Sequence, residues 1–338
     1  MTSIFFGDMA AATRNMRMTT QVKQNLDQYT YEVASGQKYD LAAAVSGDFS
    51  PLASIERSLR TLESYDLSIR EAGLFATSMQ SALETVSGHV EEASTDLVVA
   101  ADRGDATSLS VAATDAHTRF DSVVATLNTR IGDRSLFSGA ATGKTSLMSS
   151  DEMITELQTA LVAAGASSVA DVEAVVDDWF MSAGGGFETV GYRGSDTPLS
   201  AFSLGDQDSV QVKLTGDDDV LRKTLKGLAM ASLVDEGLFS DDVTARAQVL
   251  HNSGEALMGA RAGVADLQSQ VGSIESRIEE AKVGNSTMTF SYETAKSEIV
   301  AADPYEAASL LQQTETQLQL IYTLTARMSQ LSLADYIR

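Results

Sequence analysis

Two long ladders of apolar residues, one in each half of the chain, constrain its fold more than any other feature. Members of the first ladder alternate three and four residues apart: Leu62, Tyr65, Ile69, Ala72, Ala76, Met79, Leu83, Val86, Val90, Ala93, Leu97 and Ala100. Members of the second recur every seventh residue, each followed three positions later by a small or apolar residue: Leu250 and Ser253, Leu257 and Ala260, Val264 and Leu267, Val271 and Ile274, Ile278 and Ala281. A seam that repeats every 3.5 residues stays on one side only if helices pack alongside each other and supercoil gently.

The two ladders predict that distant halves of the chain build one helical rod. At about 1.5 Å of rise per residue, the first ladder alone is roughly 55–60 Å long. We expect the ladders to pack along each other over several turns, with the region around Met79 near Leu257 or Val264. The ladders could equally be the core seams of a cytosolic helical bundle, so they do not define a function.

Composition favours a mainly α protein of more than one unit. The chain has 338 residues, which exceeds the usual size of a single domain, and only three prolines interrupt it. Its apolar residues are small and suit seams better than one thick core. The predicted fold class is a long antiparallel helical bundle or coiled-coil rod built from both chain halves, with a small inserted α+β domain.

Charge and residue usage exclude several kinds of function. The formal net charge of −23 argues against nucleic acid and against an anionic membrane surface as partners. The chain has no cysteine, and its three histidines, His89, His117 and His251, are scattered. We therefore predict no metal site, no cofactor and no catalytic residues. The apolar run at residues 4–6 is far too short for a cleaved signal peptide, and no stretch approaches a membrane span.

The pattern along the chain is nested. Terminal helices, forming a helical coil, are predicted at 1–38 and 303–338, a helical rod at 39–142 and 217–302, and an inserted outer domain at 143–216. In the insert, acidic residues outnumber basic residues by eleven to three, which marks a change of character. We expect two short helices in the insert at 151–164 and 169–181, followed by strand-like segments at 188–193 and 210–214. The second ladder is expected to end near Lys282, before a separate helical stretch at 290–302.

Two motifs resemble ligand-binding loops but lack the residue spacing that those loops require. Residues 139–145 read GAATGKT, but a phosphate-binding loop needs four residues between its glycines, and this segment has three. We interpret it as a flexible hinge into the insert. The three consecutive aspartates at 217–219 lack the alternating ligand spacing of a calcium loop. They suit the N-terminus of a helix that opens near Val220, where negative charge meets the helix dipole favourably.

Both ends of the chain resemble the bacterial flagellin superfamily. Residues 33–38 (VASGQK), followed by a helix through 55–59 (IERSL), resemble the N-terminal region of that family. Residues 303–308 (DPYEAA) and 326–333 (ARMSQLSL) are similar to its closing helix. Residues 129–139 (TRIGDRSLFSG) resemble the "R-x-L-F-S-G" corner of its hook-associated junction branch. The resemblance covers about 1–142 and 217–338.

The resemblance implies a structural, non-enzymatic subunit of the bacterial flagellum that joins hook to filament. It implies an extracellular protein that is exported unfolded without a cleaved signal. The implied partners are further copies of itself in a ring or helical homo-oligomer, another hook-associated protein, flagellin and an export chaperone. Filament flagellin is the alternative within the family, although residues 39–45 (YDLAAAV) replace the turn common in flagellins. A cytosolic helical-bundle adaptor or enzyme is the alternative outside it.

Each terminal helix carries an apolar stripe that is too wide to be buried by the helix alone. We expect the terminal helices to pair with one another, with neighbouring copies, or with both. The residues predicted to form the polymer interface are Met9, Met16, Leu26, Leu318, Leu324 and Leu331.

Overall fold

The computed structural model describes the backbone of residues 3–336 and the side chains of residues 9, 10 and 12–327. The protein is mainly α, as the sequence predicts. Its long helices are α1 (Ser3–Ser35), α3 (Ser50–Arg103), α8 (Val243–Val300) and α9 (Pro304–Tyr336). Its shorter helices are α2 (Leu41–Ala44), α4 (Ala106–Leu127), α5 (Ser150–Ala164), α6 (Val169–Met181) and α7 (Asp219–Asp235).

Two small antiparallel sheets complete the described structure. Strand β1 (Arg130–Ile131) pairs with β2 (Arg134–Ser135), and β3 (Phe202–Ser203) pairs with β4 (Ser209–Val210). The chain divides into two compact units. The terminal unit comprises Met1–Leu62 and Ser286–Arg338, and the central unit comprises Glu63–Asn285. No helix in the described part of the chain is long and apolar enough to cross a membrane.

Local side chains define where the shorter helices begin. Asp105 and Asp218 cap α4 and α7 by accepting hydrogen bonds from the backbone N–H of Ser108 and Val220, each at 2.9 Å. Helices α5 and α6 start with capping boxes, in which a serine and an acidic residue three positions later satisfy each other's backbone N–H groups. The aspartate run at 217–219 is thus the start of a helix, as predicted.

The two ladders pack against each other within the central unit, as predicted. First-ladder residues from Ile69 to Ala100 are buried, and so are Leu250, Leu257, Val264, Val271 and Ile278 of the second. The helices run antiparallel, because the Thr77 hydroxyl donates to Glu275 at 2.8 Å and Arg261 pairs with Glu91 at 2.7 Å. Small residues allow the close approach: a Cβ on Gly254 would lie 2.7 Å from a methyl group of Val98.

The position expected for Met79, near Leu257 or Val264, is wrong. Thr77 lies against Glu275, so Met79 is level with that part of α8 and not with Leu257 or Val264. Leu257 lies close to the level of Gly254, which contacts Ser94 and Val98 instead. A strict repeat looks the same after every shift of seven residues, so the ladders alone cannot fix the register.

Helix α7 lies between α4 and α6 in the central unit, and its buried residues run from Leu221 to Val234. Helix α5 packs on α6. Buried side chains of the predicted insert, including Leu157, Val176 and Phe180, join the same hydrophobic cluster as the ladders. Lys226 on α7 also pairs with Asp177 on α6 at 2.7 Å.

Three predicted elements differ from the structure. The strand predicted at 210–214 is only the two-residue β4 (Ser209–Val210). Residues 188–193 were expected to form a strand, but Phe187–Gly191 is a π-helical turn. The Phe187 ring packs against Trp179 and Phe180, with centroids 6.1 and 5.5 Å away, and this contact overrides the local alternation. The break expected after Lys282 is absent, because α8 continues through Gly284 to Val300. A glycine inside a helix costs only about 1 kcal/mol, which tertiary packing offsets.

Candidate polymer interface and corner

The terminal unit is built around an antiparallel pair of helices, α1 and α9. Gly36 ends α1 in the left-handed conformation, with φ of +68°, and its N–H donates to the carbonyl of Glu32 at 2.9 Å. The segment after α1 then pairs with the segment before α9. Lys38 donates its N–H to the Val300 carbonyl at 2.9 Å, and Ala302 donates to the Gly36 carbonyl at 2.9 Å. The end of α1 and the start of α9 are therefore tied together, and the helices pack against each other from that point.

One side of each terminal helix is covered, and the covered positions follow the 3,4 spacing of a helical seam. On α1 the residues that follow this spacing are Asn15, Thr19, Val22, Leu26 and Tyr29, and the neighbouring Asn25, Gln28 and Glu32 are also half-buried. On α9 they are Ala307, Leu310, Leu311, Thr314, Leu318 and Ile321. Val22, Ala307 and Thr314 are the most buried of these. The prediction that the two ends of the chain pair with one another is confirmed for the described residues.

Other apolar residues of the same two helices point away from this seam. Met9, Met16 and Leu324 are 69%, 72% and 55% exposed, and Leu320 is 64% exposed. Exposed methionine and leucine side chains on this helical pair form an apolar surface. Covering it with another apolar surface is favourable by about 25 cal/mol per Å² of apolar area buried. The arrangement can therefore bind a further helix along its outer side.

The structure divides the six predicted interface residues into three groups. Met9, Met16 and Leu324 lie outward, whereas Leu26 and Leu318 lie half-buried in the seam between the helices. The side chain of Leu331 lies outside the described residues. Sequence reasoning missed Leu320, although its position four residues before Leu324 places it on the same side of α9. That these residues contact other copies stays a prediction.

The corner at residues 129–139 is a packed structure, and the hinge interpretation of Gly139 is wrong. Gly139 has φ of +58°, and a Cβ at this position would lie 2.4 Å from the Ser195 carbonyl oxygen and 2.6 Å from that of Thr197. Leu136 and Phe137 are fully buried beside it. The close approach of one other backbone segment, 195–197, fixes the glycine in place. Lys144, by contrast, is exposed.

Hydrogen bonds join this corner to the interior and to the C-terminal end of the insert. Gly216 donates its N–H to the Phe137 carbonyl at 2.7 Å, and Ser195 donates to the Ser138 carbonyl at 3.0 Å. The Tyr192 hydroxyl donates to the Ser195 carbonyl at 3.1 Å. Burial raises the pKa of Tyr192 to about 12, because the phenolate would lose its hydration there. Burial also raises the pKa of Asp218, the cap of α7.

Comparison with known proteins agrees with the resemblance at the C-terminal end. Residues 255–337 match the family model of the bacterial flagellin C-terminal helical region. The match spans most of α8 and α9, which are the helices that carry the second ladder and one side of the terminal pair. The C-terminal quarter of the chain is therefore similar to the C-terminal helical region of bacterial flagellins.

Two solved structures of flagellar proteins are similar to this chain at low identity. FlgL of Bacillus cereus is 14% identical, and the alignment covers 70% of this chain and 100% of FlgL with a TM-score of 0.44. A flagellar hook-associated protein of Vibrio parahaemolyticus is also 14% identical, with 71% and 95% of the two chains covered and a TM-score of 0.40. No curated protein matches the sequence.

Proposed function

We propose that this protein is a structural subunit that joins the flagellar hook to the filament and has no enzymatic activity. The observation that carries the proposal is the match of residues 255–337 to the flagellin C-terminal helical region. The matched helices include the partner of α1 in the terminal pair, which is where a flagellar subunit would contact its neighbours.

The terminal pair supplies the contacts between copies in this proposal. Met9, Met16 and Leu324 cover, and are covered by, the terminal helices of adjacent subunits. Leu26 and Leu318 hold α1 against α9, so that each subunit presents a paired surface. In the sequence Leu331 follows Leu324 by seven residues, and it is proposed to belong to the same interface.

The three-part organisation fits this role. The segments 1–38 and 303–338 form the polymer core, the segments 39–142 and 217–302 form a rod, and residues 143–216 form the outer domain. Export through the flagellar apparatus requires an unfolded chain. A chain without cysteine cannot be locked by a disulfide before it leaves the cell. Flagellin, another hook-associated protein and an export chaperone are the proposed partners.

A gene deletion tests the junction role. A strain that lacks this protein should retain hooks, bear no filaments and release monomeric flagellin into the medium. Electron microscopy and immunoblotting of the culture supernatant measure these outcomes. If the strain exports no flagellin monomer and the remaining filaments consist of another flagellin, the protein is a filament flagellin. Full-length filaments in the deletion strain would reject both roles.

A further inference from the structure

A half-buried histidine lies among carboxylates at one end of the central unit. The His117 side chain, on α4, is 18% exposed. Its Nδ1 lies 3.1 Å from Asp235 Oδ2 and 3.7 Å from Glu236 Oε1, at the end of α7. Its Nε2 lies 4.0 Å from Asp121 Oδ1, and Asp151, at the start of α5, belongs to the same group. The imidazole therefore has carboxylates on both of its nitrogen sides.

The charge of this cluster is uncompensated. Among residues 9–327, no lysine or arginine forms an ion pair with Asp121, Asp151, Asp235 or Glu236. A single imidazolium balances at most one of four carboxylates. Like charges at this separation repel each other, and solvent screens part of that repulsion because Asp121, Asp235 and Glu236 are partly exposed. A bound cation would offset more of it, in a chain whose net charge adds to the negative potential.

The spacing on the Nδ1 side fits a tetrahedral metal ion. Zinc binds histidine nitrogen at about 2.0–2.1 Å and carboxylate oxygen at about 2.0–2.2 Å, which places neighbouring ligand atoms about 3.3–3.5 Å apart. The distances of 3.1 and 3.7 Å from His117 Nδ1 to the two carboxylate oxygens bracket that value. One nitrogen and two oxygens are the three protein ligands of an open zinc site, with water as the fourth.

The surrounding groups orient these ligands. Thr114 donates its hydroxyl hydrogen to the other oxygen of Asp235, Oδ1, at 2.5 Å, which holds Oδ2 toward His117. When Nδ1 binds a metal ion, the ring proton is on Nε2, which lies 4.0 Å from Asp121 Oδ1, beyond direct hydrogen-bond distance. A metal-bound histidine usually donates this second N–H to a carboxylate, a carbonyl or water, and a water molecule can do so here.

We propose that His117, Asp235 and Glu236 bind one divalent transition-metal ion, for which Zn²⁺ is the matching probe. A mixed nitrogen and oxygen ligand set favours such an ion over Ca²⁺ or Mg²⁺, which take oxygen ligands. The bound ion ties the middle of α4 to the C-terminal end of α7 and stabilises the central unit. This inference is independent of whether the subunit joins hook to filament.

Titration of the purified full-length chain with Zn²⁺ tests the proposal. Isothermal titration calorimetry should show one site, and Zn²⁺ should raise the thermal unfolding temperature. His117→Gln should abolish both effects. His251→Gln is the matched control, because His251 also faces a carboxylate, Glu255, at 3.5 Å but on an exposed helix surface. This control should bind Zn²⁺ as the parent does.

Two further variants keep the test decisive if His117→Gln fails to fold. Asp235→Asn removes a ligand and should weaken Zn²⁺ binding strongly. Thr114→Val removes only an orienting hydrogen bond and should weaken binding by about tenfold. Circular dichroism confirms that each variant is folded. The proposal is overturned if the parent binds no Zn²⁺ at micromolar concentration, if the folded variants bind it unchanged, or if Ca²⁺ binds the same site equally well.

Discussion

Gly139 shows how one residue holds the corner of the central unit together. Its φ of +58° disfavours any other residue, and the two carbonyl oxygens beside it leave no room for a side chain. Gly132, in the same corner, also has a positive φ, of +56°, but a Cβ there would meet nothing within 4 Å. A comparison of substitutions at the two glycines therefore distinguishes the cost of backbone strain alone, at Gly132, from the cost of strain plus a steric clash, at Gly139.

We predict that Gly139→Ala destabilises the protein by about 2–4 kcal/mol, since it combines left-handed strain with a clash against backbone. Gly132→Ala should cost only the strain, about 1–2 kcal/mol. Denaturant unfolding followed by circular dichroism measures the difference. Equal losses for the two variants would show that Ser195 and Thr197 do not crowd Gly139.

Tyr192 predicts how stability depends on alkaline pH. Its pKa of about 12 in the folded protein lies above the ordinary value of 10.0, so folding favours the neutral phenol. The stability that this residue contributes is present below pH 10 and is lost as the pH rises through 12.

We therefore expect the free energy of unfolding to fall between about pH 10 and pH 12, and to fall less in Tyr192→Phe, which cannot ionise. The other tyrosines titrate in both proteins and cancel in the comparison. Denaturant midpoints measured in steps from pH 8 to pH 11.5 supply the test. Parallel curves for the two proteins would mean that Tyr192 ionises freely in the folded state.

At the scale of the element, the sequence pattern predicted the helix boundaries that depend on neighbouring residues alone. Helices α5 and α6 begin and end within about one or two residues of the predicted positions, and α7 begins within about one or two residues of its predicted start, because their caps and apolar faces are local features. The π-helical turn at Phe187–Gly191 could not be predicted, since its shape depends on the rings of Trp179 and Phe180. The ladder register also depends on contacts between residues about 200 positions apart.

The observed register can be tested by crosslinking, because the chain has no cysteine. A Cβ on Gly73 would lie 3.7 Å from a methyl group of Ile278. We predict that Gly73→Cys with Ile278→Cys forms a disulfide within one chain. The control pair, Gly73→Cys with Val264→Cys, should not, since Val264 lies roughly 20 Å further along α8. Mobility shifts on non-reducing gels distinguish the two; crosslinking of the control alone would support a different register.

The outer side of the α1–α9 pair predicts a mutation that separates folding from assembly. Leu324→Ala removes an exposed side chain, so we expect the free energy of unfolding to change by less than about 0.5 kcal/mol. Assembly should weaken, because every copy loses the same contact. Val111→Ala, at a residue 65% exposed on α4, is the control and should change neither quantity.

Thermal unfolding of the monomer and counts of filaments per cell measure the two effects of Leu324→Ala. A variant that unfolds early yet bears normal filaments would place Leu324 in the core of the monomer. Leu318→Ala gives a useful contrast, since this half-buried seam residue should lower the stability of the terminal unit as well as assembly.

At the scale of the whole molecule, the sequence predicted the pairing of the two chain ends but not the histidine cluster. Apolar stripes on 1–38 and 303–338 are visible as patterns, so their pairing follows from burial alone. His117 and Asp235 are 118 positions apart, and no spacing rule connects them. Scattered histidines therefore suggested no metal site, because carboxylate ligands are too common in an acidic chain to mark one.

Removal of residues 143–216 tests the three-part organisation. We expect the remaining chain to keep the circular dichroism signal of its long helices and to lose only the contribution of α5 and α6, which have 15 and 13 residues. Its free energy of unfolding should fall, since Leu157, Val176 and Phe180 leave the shared cluster. A loss of most helical signal would show that the rod cannot fold without the outer domain.

The antiparallel pairing of α3 and α8 restricts where residues can be inserted into or deleted from the sequence. Each step up α3 is matched by an equal step down α8, from Gly73 beside Ile278 to Glu91 beside Arg261. Deleting one residue from either helix turns everything beyond it by about 100° and moves the seam off its partner. Only a matching deletion in the other helix brings the two apolar seams back into contact. Residues between the two helices carry no such constraint, so growth and shrinkage of the protein are expected to concentrate there.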